Sequence, residues 1–331
     1  MGVAADPSPW RFCVAPMMDW TTSYCRQFHR QLTRHARLYT EMVTTGALLH
    51  GDAPRFLEYA ASEQPLALQL GGSEPDDLAR TAEMGGRAGY VEINLNCGCP
   101  SDRVQEGRFG ACLMREPERV AQGVAAMRGA TDAVITVKHR VGVDDAEDYP
   151  FMRHFVETVA AAGCEVFIVH ARKAWLQGLS PKENREVPPL TYEHVYRLKQ
   201  DFPSLTIVIN GGIATLEECS AHLAHVDGVM LGRAPYERPW LLADVDRRLF
   251  ERPNPVATRD QALLAMAPLM EAMARRGESA NRLTRHLLGL YRGQSGGKAF
   301  RRHLSEHGNR PQGSALLREA LAQVQAQHPH V

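Results

Sequence analysis

Residues 205–233 read LTIVINGGIATLEECSAHLAHVDGVMLGR. The apolar run Leu205–Ile209 ends in Asn210-Gly211-Gly212, a segment of helical character follows, and a second run, Val229–Leu231, ends in Gly232-Arg233. Continuous β-branched runs without alternation are those of parallel strands buried on both faces. A glycine-bearing turn directly after each strand leaves backbone amides open to an anion. The loops after the last two strands of a β/α barrel are where such folds often hold phosphate.

Working outward, six further runs precede this unit: Phe12–Val14, Leu38–Thr40, Leu66–Leu70, Tyr90–Leu95, Val134–Lys138 and Val166–His170. Helix-like stretches separate them. One covers Glu74–Arg87 with Ser73 as cap, and another covers Pro117–Arg128, opened by a proline where helices tolerate it. Eight strand–helix repeats, with no Gly-x-Gly-x-x-Gly after the first strand, favour a closed barrel over a doubly wound open sheet. After Trp240 the strand signals stop. Pro253-Asn254-Pro255 reads as a linker, and apolar residues then recur at helical spacing (Leu263, Met266, Leu269, Met270, Met273, then Leu283, Leu287, Leu288 and Tyr291). The chain is expected to be an α/β protein, a (β/α)8 TIM barrel (1–250) followed by a small C-terminal helical domain (256–331). The stretch from Ala322 is polar and expected to fray.

Composition narrows the class. A hydrophobic share of 44% and a charged share of 23% exclude disordered and fibrous chains. No apolar stretch approaches the ~18 residues of a membrane span, and Met1–Arg11 lacks the basic and apolar regions of a signal peptide. Asp6 stands where a myristoylation motif wants Ser or Thr. A cytoplasmic monomer is expected. Seven cysteines, an odd number, point to reduced thiols, and Cys97-Gly98-Cys99 has no second cluster to complete a zinc site, so no metal role is expected. Net charge is zero, yet residues 275–310 carry nine basic and two acidic residues, a net of +7. Such a patch steers a polyanion despite the neutral total.

The reactive groups of a barrel sit where strands end. Here those ends offer Pro16-Met17-Met18, Glu41, Gln69, Asn94 and Asn96, Lys138, His170, Asn210-Gly211-Gly212 and Gly232-Arg233. Singly each has a bland explanation as a turn, a solvated lysine or a structural histidine; convergence on one face gives them weight. A phosphate at Gly211-Gly212 and Gly232-Arg233, with Gln69 and Lys138 available to a heterocycle and Met17 and Met18 to pack beneath it, fits flavin mononucleotide (FMN) better than a sugar phosphate. Lys138 would then stabilise the negative charge of a reduced flavin. Cys99, in the loop after strand four, can act as an acid beside that ring, since an ordinary thiol is mostly protonated at neutral pH.

The chain resembles the tRNA-dihydrouridine synthases, and within them the A-type. The resemblance rests on APMMD (15–19), LNCGCPSDRV (95–104), GACLM (110–114), VKHRVG (137–142), VHAR (169–172), INGGI (209–213) and LTRHLLG (283–289), spread over almost the whole chain. It implies FMN in the barrel, NADPH as electron donor, hydride transfer to C6 of uracil, and protonation at C5 by Cys99. It implies flavin contacts from Pro16, Met17, Met18, Gln69, Lys138, His170, Asn210, Gly211, Gly212, Gly232 and Arg233, and a role for Asn96 in placing the target base. Lys182 and Arg185, with Lys298 and Arg301 of the helical domain, would bind the tRNA backbone. The A-type points to uridines 20 and 20a in the D loop. One departure is Cys97, where relatives usually have an apolar residue; it leaves open which thiol acts. The rival enzyme is an FMN barrel reducing a free base, such as a dihydropyrimidine or dihydroorotate dehydrogenase, which has no need of a basic helical extension. A non-catalytic RNA-binding module is the other alternative, and the intact set of strand-end residues argues against it.

Overall fold

The computed structural model describes residues 7–101, 104, 107–146 and 149–326. The eight runs form β1 (Phe12–Val14), β2 (Leu38–Thr44), β3 (Leu66–Gly71), β4 (Glu92–Cys97), β5 (Val134–Arg140), β6 (Val166–His170), β7 (Thr206–Asn210) and β8 (Gly228–Leu231). Each strand from β2 to β8 pairs in parallel with the next, and β8 pairs with β1. The remaining seam, β1 to β2, is joined by a parallel bridge between Cys13 and Arg37. There the Val14 amide donates to the Arg37 carbonyl and the Arg37 amide to the Phe12 carbonyl, both at 2.9 Å. The fold is the expected (β/α)8 barrel.

Strand alternation decides what faces inward. Cys13, Ala15, Tyr39, Ala67, Val166, Ile168, Val208 and Met230 form a separate apolar cluster inside the barrel, whereas Phe12, Val14, Leu68, Ile93, Leu95, Cys97, Phe167 and Ile209 join the larger core under the helices. The interior is not apolar all round. Gln69, Glu92, Asn94 and Thr136, the inward positions of β3 to β5, are buried there and bonded to one another.

The main helices are α1 (Ser23–Leu32), α2 (Pro75–Arg87), α3 (Pro117–Ala130), α4 (Tyr149–Ala161), α5 (Tyr192–Asp201) and α6 (Leu216–His222) around the barrel, then α7 (Arg259–Leu264), α8 (Ala267–Arg275), α9 (Asn281–Leu287), α10 (Gly297–His307) and α11 (Ala315–Gln325). Ser73 does not cap α2. Glu74 holds the cap position without a side-chain bond, because the fixed φ of Pro75 sets the first turn one residue later than expected. The linker is tied down: Asn254 donates to Asp244 at 3.0 Å and accepts from the Arg247 amide at 3.1 Å. Leu283, Leu287, Phe300, Leu304 and Leu317 are fully buried in the same core that lies under the barrel helices. His286 of α9 bridges Thr22 (2.9 Å) and Tyr236 (3.2 Å), fixing α9 against the start of α1. The expected fraying is overturned for Ala322–Gln325, since α11 runs to Gln325 with Leu321 and Val324 buried; the part of that stretch from residue 327 lies outside the described residues.

Candidate functional site

The mouth of the barrel is built by inward residues two positions apart. Lys138 and Arg140 follow one another on the inner face of β5, and His170 and Arg172 continue the inner face of β6. Register places Arg140 opposite His170, and His170 opposite Asn210. Met17 comes next to Gly232, so the first and last strand ends meet at the closing seam. Met18 is 58% exposed, and Pro16 is half-buried. Asn210 is buried, and its amide nitrogen donates to the Met230 carbonyl at 2.7 Å.

Gly211 and Gly212 have φ of 116° and 75°, a conformation that side-chain-bearing residues rarely adopt. A Cβ on Gly211 would lie 2.6 Å from the His170 ring. The Gly211 carbonyl is turned away to accept from Tyr192 at 2.7 Å. Among the described residues the amides of Gly211, Gly212 and Gly232 donate to no protein group. The side chains of Lys138 and His170 likewise have no hydrogen-bond partner there. Burial, reinforced by Arg140, lowers Lys138 to about 7. Burial, followed by the charges of Arg140, Lys138, Arg172 and Arg185, holds His170 well below its ordinary value, so its ring is neutral at pH 7. Free amides on a left-handed glycine pair, a half-buried lysine with no acceptor and a ring of cations are what an anionic, phosphate-bearing heterocycle requires. The residues present fit FMN.

The two thiols part company. Cys97 faces the helices and is fully buried, and burial raises its thiol far above the ordinary range. Cys99, past Gly98, is half-buried at the mouth, with its sulfur 3.5 Å from Ser101 Oγ. Its loop is held from two sides. Asn96 Oδ1 accepts from the amides of Gly98 (3.0 Å) and Cys99 (2.9 Å), and Arg140 Nε donates to the Gly98 carbonyl at 2.8 Å. Asn96 also donates to Gln69 at 2.9 Å, which leaves one of its N–H groups without a partner among the described residues. Asp102 and Arg103 of the LNCGCPSDRV segment lie outside the described residues.

Arg140 escaped notice in the sequence, although its place two residues after Lys138 is the signal. It is buried, donates to the carbonyls of Lys173 and Asn184 as well (both 3.0 Å), and is lowered to about 10 by burial. Arg172 likewise lies two residues after His170, its Nε buried without a partner. Arg233 pairs with Glu186 at 2.5 Å, tying the loop after β6 across the end of β8. In that loop Lys182 and Arg185 are exposed, and Arg185 lies within electrostatic reach of Cys99 and Arg233. Lys298 and Arg301 lie on the exposed face of α10, with no ion pair among the described residues. Two other arginines of the basic stretch are neutralised, as Arg276 and Arg282 both pair with Glu278. No group of three or more His, Cys, Asp or Glu among the described residues could hold a metal ion, and no helix there is long and apolar enough to cross a membrane.

Fold and site define a (β/α)8 barrel with a basic, thiol-bearing mouth and a glycine cradle at the end of its seventh strand. The family model described as dihydrouridine synthase matches residues 13–326. The tRNA-dihydrouridine(20/20a) synthase of Vibrio parahaemolyticus is 54% identical over 316 residues, covering 95% of this chain and 97% of the relative. Proteins with the same name from Yersinia pestis and Synechocystis sp. are 55% and 56% identical, over 95% and 92% of this chain and 91% of each relative. The chain belongs to the dihydrouridine synthase family, and it is an oxidoreductase.

Proposed function

We propose that this enzyme reduces the C5=C6 bond of uridines 20 and 20a in the D loop of tRNA to 5,6-dihydrouridine, using FMN held in the barrel mouth and NADPH as electron donor. The likeness to relatives named for positions 20 and 20a supports the substrate. Reduced flavin, when bound, would supply the hydride for C6. The amides of Gly211, Gly212 and Gly232, with Arg233, would take its phosphate; Asn210 and His170 would line the approach; and Pro16, Met17, Met18, Gln69 and Lys138 would meet the ring. Cys99 gives its thiol proton to C5. The thiolate left behind has Lys138, Arg140 and Arg185 within electrostatic reach.

The observation that carries this reading is the clamp on Cys99. A loop thiol is held at the mouth by the Asn96 carbonyl and the Arg140 guanidinium, while Cys97 is sealed in the core. The free N–H of Asn96 is available to the target base. Residues 1–250 form the catalytic barrel. Residues 256–331 form the helical tRNA-binding part, with Lys298 and Arg301, and with Lys182 and Arg185 of the barrel, on the phosphate backbone. The enzyme acts as a cytoplasmic monomer.

Purified protein should be yellow and should oxidise NADPH faster when unmodified tRNA is added; protein that retains no flavin after gentle purification would refute the cofactor. Cys99→Ala should abolish dihydrouridine formation while Cys97→Ala retains most of it, and the reverse pattern would move the acid by two residues. Mapping dihydrouridine in tRNA from a strain lacking the protein should show loss at positions 20 and 20a only.

A further inference from the structure

A single file of polar side chains runs through the barrel interior from its floor to the Cys99 loop. At the floor Glu92 is fully buried and ion-paired with Arg37 at 3.0 Å. It also accepts from Trp10 Nε1 (2.8 Å), Tyr39 OH (2.7 Å) and Thr136 Oγ1 (2.7 Å). With its one hydroxyl proton on Glu92, Thr136 can only accept from its next neighbour, and it does so from Asn94 Nδ2 at 2.8 Å. Asn94 therefore turns Oδ1 towards Gln69 and accepts from Nε2 at 2.8 Å. Gln69 turns Oε1 to Asn96 and accepts from Nδ2 at 2.9 Å. Asn96 is left presenting Oδ1 to the Gly98 and Cys99 amides. A backbone N–H can only donate, so the mouth demands the same sense that the carboxylate imposes at the floor. Three side-chain amides that could each be turned over without steric cost have one arrangement that satisfies every link.

We propose that Thr136 and Asn94, which do not themselves contact the Cys99 loop, are positioning residues for the thiol. With Glu92 they fix the donor–acceptor sense of Gln69 and Asn96, and so hold the Cys99 loop in one conformation at the mouth. The proposal rests on the reading of Cys99 as proton donor. Removing the acceptor at position 136 leaves the Asn94 Nδ2 donor buried and unpaired, so the sense of the file is held from the mouth end alone and the weakened anchoring reaches the clamp on Cys99 through Gln69. A residue that only filled the core would affect stability and leave the loop thiol as it was.

The test is Thr136→Val, which keeps the shape and removes the hydroxyl, compared with Thr136→Ser, which keeps the hydroxyl. In the protein as purified, without tRNA, alkylation of Cys99 by iodoacetamide is followed by mass spectrometry of its peptide. The valine variant should react about tenfold faster, the population ratio of roughly one net hydrogen bond. Its kcat for dihydrouridine formation should fall by a similar factor with KM for tRNA unchanged, and serine should restore both. Thr136→Ala carries the same expectation should the valine variant not accumulate in folded form. Alkylation within twofold of the parent in whichever of these variants folds would overturn the proposal. The two readings fail separately: dihydrouridine formation persisting in Cys99→Ala would refute the proton donor, while the alkylation rates would still decide what positions the loop.

Discussion

Cys97 and Cys99 stand two residues apart and have opposite surroundings. A β-strand turns alternate residues to alternate faces, but β4 ends at Cys97, and beyond it Gly98 and the Asn96 clamp take the chain out of the sheet. Cys97→Ala should cost on the order of 1 kcal/mol of stability through lost packing and leave Cys99 alkylation unchanged, as chemical denaturation and peptide mapping would show. Gly211 is the other residue whose chemistry depends on backbone alone. Gly211→Ala forces a Cβ to within 2.6 Å of the His170 ring at a φ of 116°. It should reduce flavin retention at least tenfold, the equivalent of about 1.4 kcal/mol, and a fully loaded variant would show that this loop does not hold the phosphate.

At the scale of elements, the basic excess after the barrel is less uniform than its charge count implies. Arg276, just past α8, and Arg282 of α9 share the carboxylate of Glu278, and Arg292 reaches Glu237 across the junction with the barrel. The open charge is concentrated on α10, where Lys298, Arg301 and Arg302 fall at i, i+3 and i+4 on one exposed face. Arg301→Ala should weaken tRNA binding and reduce the slope of log affinity against log salt by about one. Arg276→Ala, removing an already paired charge, should leave the slope unchanged. Equal slopes for both variants and the parent would reject α10 as a phosphate-binding face.

At the scale of the whole molecule, histidines buried at the seams tie stability to pH. Burial lowers His29 to about 3, and His139 and His286 to about 4, from an ordinary 6.5. The folded chain therefore binds fewer protons than the unfolded chain between those values. The stability each contributes is present above 6.5 and is lost as pH falls towards 4, by about 1.4 kcal/mol per pH unit. Because His286 joins α9 to Thr22 and Tyr236, acid should loosen the C-terminal helices from the barrel. His286→Gln should show a shallower fall of melting temperature between pH 6.5 and 4; identical slopes would remove His286 from the account.

Sequence alone pointed to the barrel, because strands buried on both faces must be apolar throughout, as in Val166–His170, and eight such runs alternating with helical segments favour closure. It also determined most of the mouth, since strand ends are where polar residues break those runs. The tertiary structure decided what depends on direction rather than composition: that Cys97 turns to the helices and Cys99 to the mouth, and that Arg140 braces the loop. The buried file from Glu92 to Asn96 was equally hidden, because its members come from three strands and only strand register brings Gln69 beside Asn94 and Asn94 beside Thr136. Local pattern fixes which residues are buried, while the hydrogen-bond partners of a buried polar group are set by neighbours distant in the chain.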